Sequence, residues 1–132
     1  MEKLIISEER TNAANPVSVL TLRGTIETTN ASGLEETLER IVNESCYRIV
    51  VDLGSVSYIS SAGWGIFISE IKRIRRNGGD IKLAGMMPEV REVFDLLEFG
   101  NILKPFMKTS EAIRDFEVAT DSGTQGGPAG RR

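Results

Sequence analysis

Tyr47-Arg48-Ile49-Val50-Val51-Asp52-Leu53 is an almost unbroken apolar run in the middle of the chain. A strand with apolar side chains on both faces must be covered on both, the position of a central strand in a sheet flanked by helices. Upstream, Ala31, Leu34, Leu38, Ile41 and Val42 recur at spacings of three and four. That period gives one apolar helical face, running to about Asn43, with Thr28, Thr29 and Asn30 offering caps. Gly33 weakens its first turn by about 1 kcal/mol relative to alanine. Downstream, Gly54 and Ser55 read as a turn, and residues 56–59 lead to a second helix over about 62–76. Ile66, Phe67, Ile71 and Ile74 face inward on it, and Asn77-Gly78-Gly79 ends it.

Farther out, residues 4–10 and 17–23 read as a hairpin of strands across the turn chemistry of residues 12–16, the second strand broken by Gly24. Residues 80–84 form another short strand. Pro88 suits the first turn of a third helix, with Val90, Val93, Phe94 and Leu97 on its core side. Residues 101–106 hold a last strand cut short by Pro105, and Thr109 or Ser110 caps a final helix through Phe116. The order is ββαβαβαβα. The expected fold is α/β: one domain over residues 1–119, a mixed, mostly parallel sheet of about four or five strands, and about four helices. The glycine-rich stretch 120–132 has little to bury and is expected to be a disordered tail.

Composition narrows the function. The 132 residues carry a net charge of −3, against nucleic acid as the main partner. The basic run Lys72-Arg73-Ile74-Arg75-Arg76 suits the C-terminal turn of a helix, where the dipole favours cations. No segment approaches the roughly 20 apolar residues of a membrane span, and the lone Cys46 has no internal disulfide partner. A cytoplasmic location with no membrane partner is expected. Histidine is absent, which removes the commonest general base and the usual serine triad. No phosphate-binding glycine loop or dinucleotide fingerprint is present. Glu35, Glu36 and Glu39 read as a solvated helix face. No catalytic residue, metal or cofactor is expected, and the chain reads as a binding protein, not an enzyme.

Tyr58-Ile59-Ser60-Ser61-Ala62-Gly63-Trp64-Gly65 carries the most chemical information. It lies where a strand gives way to a helix, and a helix start bears unpaired N–H groups and partial positive charge. A serine there can act as a cap, or carry a phosphate of roughly −1.5 to −2 charges at the mouth of the dipole. The small residues Ala62, Gly63 and Gly65 either let another protein approach closely or only permit tight helix packing. Trp64 is either core or a surface anchor. Cys46 reads as a packing residue, and Met86 and Met87 as gap fillers or an adaptable contact patch.

This segment resembles the signature of the anti-sigma-factor antagonist family, the bacterial form of the STAS domain. In that family a strand ends in Asp-Ser-Ser/Thr-Gly-Leu/Ile-Gly, the first serine being the kinase target. Matching the two glycines to Gly63 and Gly65 places the target at Ser61, with Ser60 as the alternative. Val50-Val51-Asp52-Leu53-Gly54, Gly24-Thr25-Ile26-Glu27 and Asn77-Gly78-Gly79-Asp80-Ile81-Lys82-Leu83-Ala84-Gly85 resemble the flanking family segments. Two positions depart: Ser60 stands where the family has an acid, and Ala62 follows the target.

The resemblance implies a partner switch. The unmodified chain binds an anti-sigma factor that is itself a serine kinase and so releases a sigma factor. Phosphorylation of Ser61 breaks the complex, and a metal-dependent serine phosphatase restores it. Thr25, Glu27, Ser60, Ala62, Gly63 and Trp64 are the implied partner-binding residues, on a monomer or weak dimer. Constitutive scaffolding in a signalling assembly and small-ligand binding near Gly24 and Ser61 are the competing expectations.

Overall fold

The computed structural model describes residues 3–124. In chain order the elements are β1 (Leu4–Arg10), β2 (Ser18–Ile26), α1 (Ala31–Asn43), β3 (Arg48–Ile59), α2 (Ser61–Arg76), β4 (Asp80–Ala84), α3 (Pro88–Leu96), a 3-10 turn (Phe99–Asn101), β5 (Lys104–Phe106) and α4 (Thr109–Thr124). The expected order of strands and helices is the observed one. The five strands form one sheet in the sequential order β1-β2-β3-β4-β5. β1 and β2 are antiparallel, and every later neighbour is parallel.

A sheet that grows in one direction through right-handed crossovers places its connecting helices on one face. The core follows that rule. Ile49, Val51 and Leu53 of β3 pack with Leu20, Leu22, Ile81 and Leu83, together with apolar residues of α1, α2 and α3. Val50, one residue out of phase, faces the opposite side with Val17, Ala84 and the α4 residues Ala112 and Phe116. The apolar run of β3 is thus explained by two cores, one on each side. The apolar face read on α1 is buried at all five positions, and Cys46 is a buried member of the larger core.

Several boundaries differ from the sequence reading. β2 does not break at Gly24 but continues to Ile26. Gly24 has φ +111°, and a Cβ there would lie 1.9 Å from the Lys3 carbonyl oxygen, so glycine is what lets the strand pass. Gly54 and Ser55 do not turn the chain either, because β3 runs through them to Ile59. They lie at an irregularity: Thr21 pairs with Asp52 but Arg23 with Ser55, and Gly24 with Val56 but Thr25 with Tyr58. β3 therefore gains a residue on β2 twice. The Asp52 carboxylate accepts from Gly54 N at 2.9 Å beside the first of these bulges. Bulges redirect a strand near sites, and here Tyr58 emerges exposed while Ile59 points inward.

On α3, Val90 and Phe94 are buried as expected, but Val93 and Leu97 are 39% and 54% exposed. α3 is short and leaves one side of its broad apolar stripe uncovered. Asn101 belongs to the 3-10 turn, and Pro105 sits inside the edge strand β5, where a missing N–H is tolerated. α4 passes Phe116 and reaches Thr124. The tail expected from Thr120 overlaps its last turns, and residues 125–132 lie outside the described residues. Among the described residues no helix is long and apolar enough to cross a membrane.

Candidate functional site

The site forms where β2 and β3 end side by side. Ser60 N donates to the Ile26 carbonyl at 2.8 Å, carrying the pairing one step past the last ladder residues. Ser60 is extended (φ −75°, ψ 169°) and is the N-cap of α2. Its hydroxyl accepts from Gly63 N at 3.3 Å, and its carbonyl accepts from Trp64 N at 3.0 Å. Only 6% of Ser60 is exposed. Ser61, the first helical residue, is exposed. The adjacent serines thus have different situations: one is an internal cap, the other stands at the surface on the positive end of a four-turn helix.

The two glycines divide in the same way. A Cβ on Gly63 would lie 2.7 Å from Ile26 Cγ2 and 2.9 Å from Ile59 Cγ2, so Gly63 brings the helix start close against both strands. Gly65 is exposed, with nothing within 4 Å of a Cβ. Ala62 is half-buried against the main core.

The loop after β2 lies alongside. Asn30 occupies the N-cap position of α1, but its side chain makes no capping bond. Instead Oδ1 accepts from Glu27 N at 2.8 Å and Nδ2 donates to the Thr25 carbonyl at 3.0 Å. Asn30 clasps the loop, holding Glu27 half-buried; Thr25 is buried. Of the implied binding residues, Thr25, Ser60, Gly63 and Trp64 are therefore buried and shape the site from beneath. Ser61 and Glu27 retain accessible surface.

Beside Ser61 opens an apolar groove of about 650 Å³ between α2 and α3. Trp64, only 3% exposed, underlies it and packs on Phe99 at 4.9 Å, Phe94 at 6.0 Å and Phe67 at 6.2 Å between ring centroids. Burial settles Trp64 as core, with one side lining the groove. Ile68 of α2 and Val93 and Leu97 from the α3 side form the walls, while Tyr58, Ser61 and Gly65 lie at one end and Lys72 also contributes. Tyr58 is 50% exposed, and with Val93 and Leu97 it gives the groove an apolar rim, the kind of surface that marks interaction sites. Sequence reasoning missed Tyr58, Ile68, Val93, Leu97 and Phe99 as site residues. The available signal was α3 itself, whose apolar positions Val90, Val93, Phe94, Leu96 and Leu97 exceed what one buried stripe of a short helix accommodates.

Two arginines of the basic end of α2 are engaged internally. Arg73 donates to Asn43 Oδ1 at 2.7 Å, and Arg75 pairs with Asp80 at 3.1 Å and bonds the Ile102 carbonyl.

The STAS domain family profile matches residues 8–112, and the chain belongs to that family. BtrV of Bordetella bronchiseptica, whose name classes it with the anti-sigma factor antagonists, is 36% identical over 98 residues, which cover 74% of this chain and 84% of that protein. Among solved structures, an anti-sigma factor antagonist from Mycobacterium paratuberculosis superposes with a TM-score of 0.72 at 21% identity, over 84% of this chain and 93% of that one. The anti-sigma factor antagonist SpoIIAA in its unphosphorylated form gives 0.70 at 17% identity, over 85% and 97%. These two structures show the shared fold.

Proposed function

We propose that this chain is an anti-sigma factor antagonist switched at Ser61. The unphosphorylated protein docks an anti-sigma factor with serine kinase activity, using the exposed start of α2 and the apolar groove beside it, and so releases a sigma factor. Phosphorylation of Ser61 dissolves the complex, and a metal-dependent serine phosphatase restores it. The chain is the kinase's substrate and needs no catalytic group of its own. It acts in the cytoplasm as a monomer or weak dimer, with residues 1–119 as the working domain.

The observation that carries this reading is the contrast between the serines: Ser60 is buried in a cap, while Ser61 is exposed at the mouth of a groove rimmed by Tyr58, Val93 and Leu97. The names of the sequence relatives support it. A phosphate on Ser61 adds roughly 1.5 to 2 negative charges. The helix start tolerates that charge within the free chain. In a complex the same dianion must be desolvated at the edge of an apolar contact and beside the Glu27 loop, so the cost falls on binding.

Intact-mass and peptide mapping of the protein from its native cells, before and after phosphatase treatment, tests the switch. One phosphatase-sensitive phosphate at Ser61 is expected, with Ser61→Asp abolishing binding to the cognate anti-sigma factor and Ser61→Ala retaining it. Ser60 in place of the family's acid favours a second reading, a constitutive STAS scaffold. An unmodified chain under all growth conditions, with binding indifferent to Ser61→Asp, selects that reading.

A further inference from the structure

Away from the groove, where α1 packs on α2, three carboxylates meet. Glu35 and Glu39 lie one turn apart on α1, and Glu70 faces them from α2; one oxygen of each lies within 4.8 Å of the others. Like charges four residues apart on a helix repel, so the grouping is costly if nothing sits among them. Glu70 is the informative member. It is only 6% exposed, and its buried Oε1 has no hydrogen-bond partner among the described residues. Burial, and then the neighbouring Glu39 and Glu35, push its carboxyl above the ordinary range, with Arg73 acting in the opposite direction. Arg73 does not pair with it directly but donates to Asn43.

A buried carboxylate without a donor calls for a proton or a cation. A proton neutralises Glu70 alone, whereas a cation answers all three acids. We propose that Glu35, Glu39 and Glu70 bind one hard divalent cation of the magnesium, manganese or calcium class, clamping α1 to α2. The spacing suits it: opposite oxygens around such an ion are roughly 4.0–5.2 Å apart, twice the metal–oxygen distance, and adjacent ones closer. Three carboxylates with no thiolate or imidazole select hard ions over soft ones, and water completes the coordination. The site does not involve Ser61, so it stands or falls separately from the phosphorylation switch.

The test is titration of Mn2+ alone into the chelator-treated full chain, with free Mn2+ followed by electron paramagnetic resonance. One saturable site per chain is expected, displaced by Mg2+ or Ca2+, with a rise in Tm on saturation. Glu35→Gln and Glu39→Gln should each weaken Mn2+ binding at least tenfold and remove the Tm rise, while Glu36→Gln, an exposed acid outside the cluster, changes neither. Ser61→Ala binds like wild type. The two α1 variants alter side chains with accessible edges, and circular dichroism checks that they fold, so the result does not depend on Glu70→Gln. Absence of saturable binding up to about 1 mM Mn2+ overturns the proposal, and so does binding that survives the Glu35→Gln/Glu39→Gln double variant. In either case Glu70 is simply held protonated.

Discussion

Ser60 and Ser61 share a residue type and adjacent positions, yet substituting each should read out differently. Ser60→Ala removes the α2 cap and should cost about 1 kcal/mol in urea unfolding. Ser61→Ala should stay within about 0.5 kcal/mol, because that side chain is at the surface. The two glycines near the start of α2, Gly63 and Gly65, offer a second contrast. Gly63→Ala drives a methyl into Ile26 and Ile59, two buried β-branched side chains with little freedom to move, and should destabilise by about 1–3 kcal/mol. Gly65→Ala meets open space and should stabilise by about 0.5–1 kcal/mol through helix propensity. Because Gly65 also lines the groove, the same change should weaken partner binding, measured calorimetrically. Nothing in the residue types distinguishes Gly63 from Gly65; their neighbours do.

At the scale of elements, β1 is tied to α1 by an ionic cluster. Glu8 of β1 accepts from Arg40 of α1 at 2.9 Å, from Arg10 at 2.7 Å and from the Ser18 hydroxyl at 2.7 Å, and Arg10 also pairs with Glu44 just beyond α1. Burial alone would raise the Glu8 carboxyl, but these hydrogen bonds outweigh it and hold the pKa at about 2 instead of 4.5. Since the folded value is the lower one, Glu8 contributes stability above pH 4.5 that is lost as pH falls towards 2. In the metal-free chain Glu70 acts in the opposite sense: its raised carboxyl contributes stability at low pH that is lost as pH climbs through its folded value. Glu8→Gln should therefore cost about 1–2 kcal/mol at pH 7, and the gap from wild type should close between pH 4.5 and 2. Urea melts across that range check it. The elements themselves were largely legible in the sequence, because periodic apolar spacing survives in any tertiary setting. The boundaries misread within β2 and β3 fall at Gly24, Gly54 and Ser55, where glycine-bearing bulges within paired strands look locally like turns.

At the scale of the whole molecule, the groove exists because α2 and α3 lie side by side on one sheet face, with the Trp64 cluster beneath them. Leu97 illustrates the consequence. It has core spacing on α3, yet more than half of it is exposed on the groove wall. Leu97→Asp should change stability by less than about 0.5 kcal/mol while weakening anti-sigma factor binding at least tenfold, because it puts a charge on an apolar wall that the proposed partner must cover. Trp64, the only tryptophan of the chain, provides the readout: its emission should shift when a partner fills the groove, and should not shift with the Leu97→Asp variant.

The sequence by itself determined the element order, the central position of β3, the inward faces of α1 and α2, and the serine-glycine segment at the start of α2. Those properties rest on local periodicity and on residue chemistry that does not depend on what lies opposite. Only the tertiary structure decided that Ser60 is buried and Ser61 exposed, that Trp64 is core, that Val93 and Leu97 line a groove, and that Glu35 and Glu39 meet Glu70. Each of these depends on which element covers a side chain, and packing between segments distant in the chain sets that.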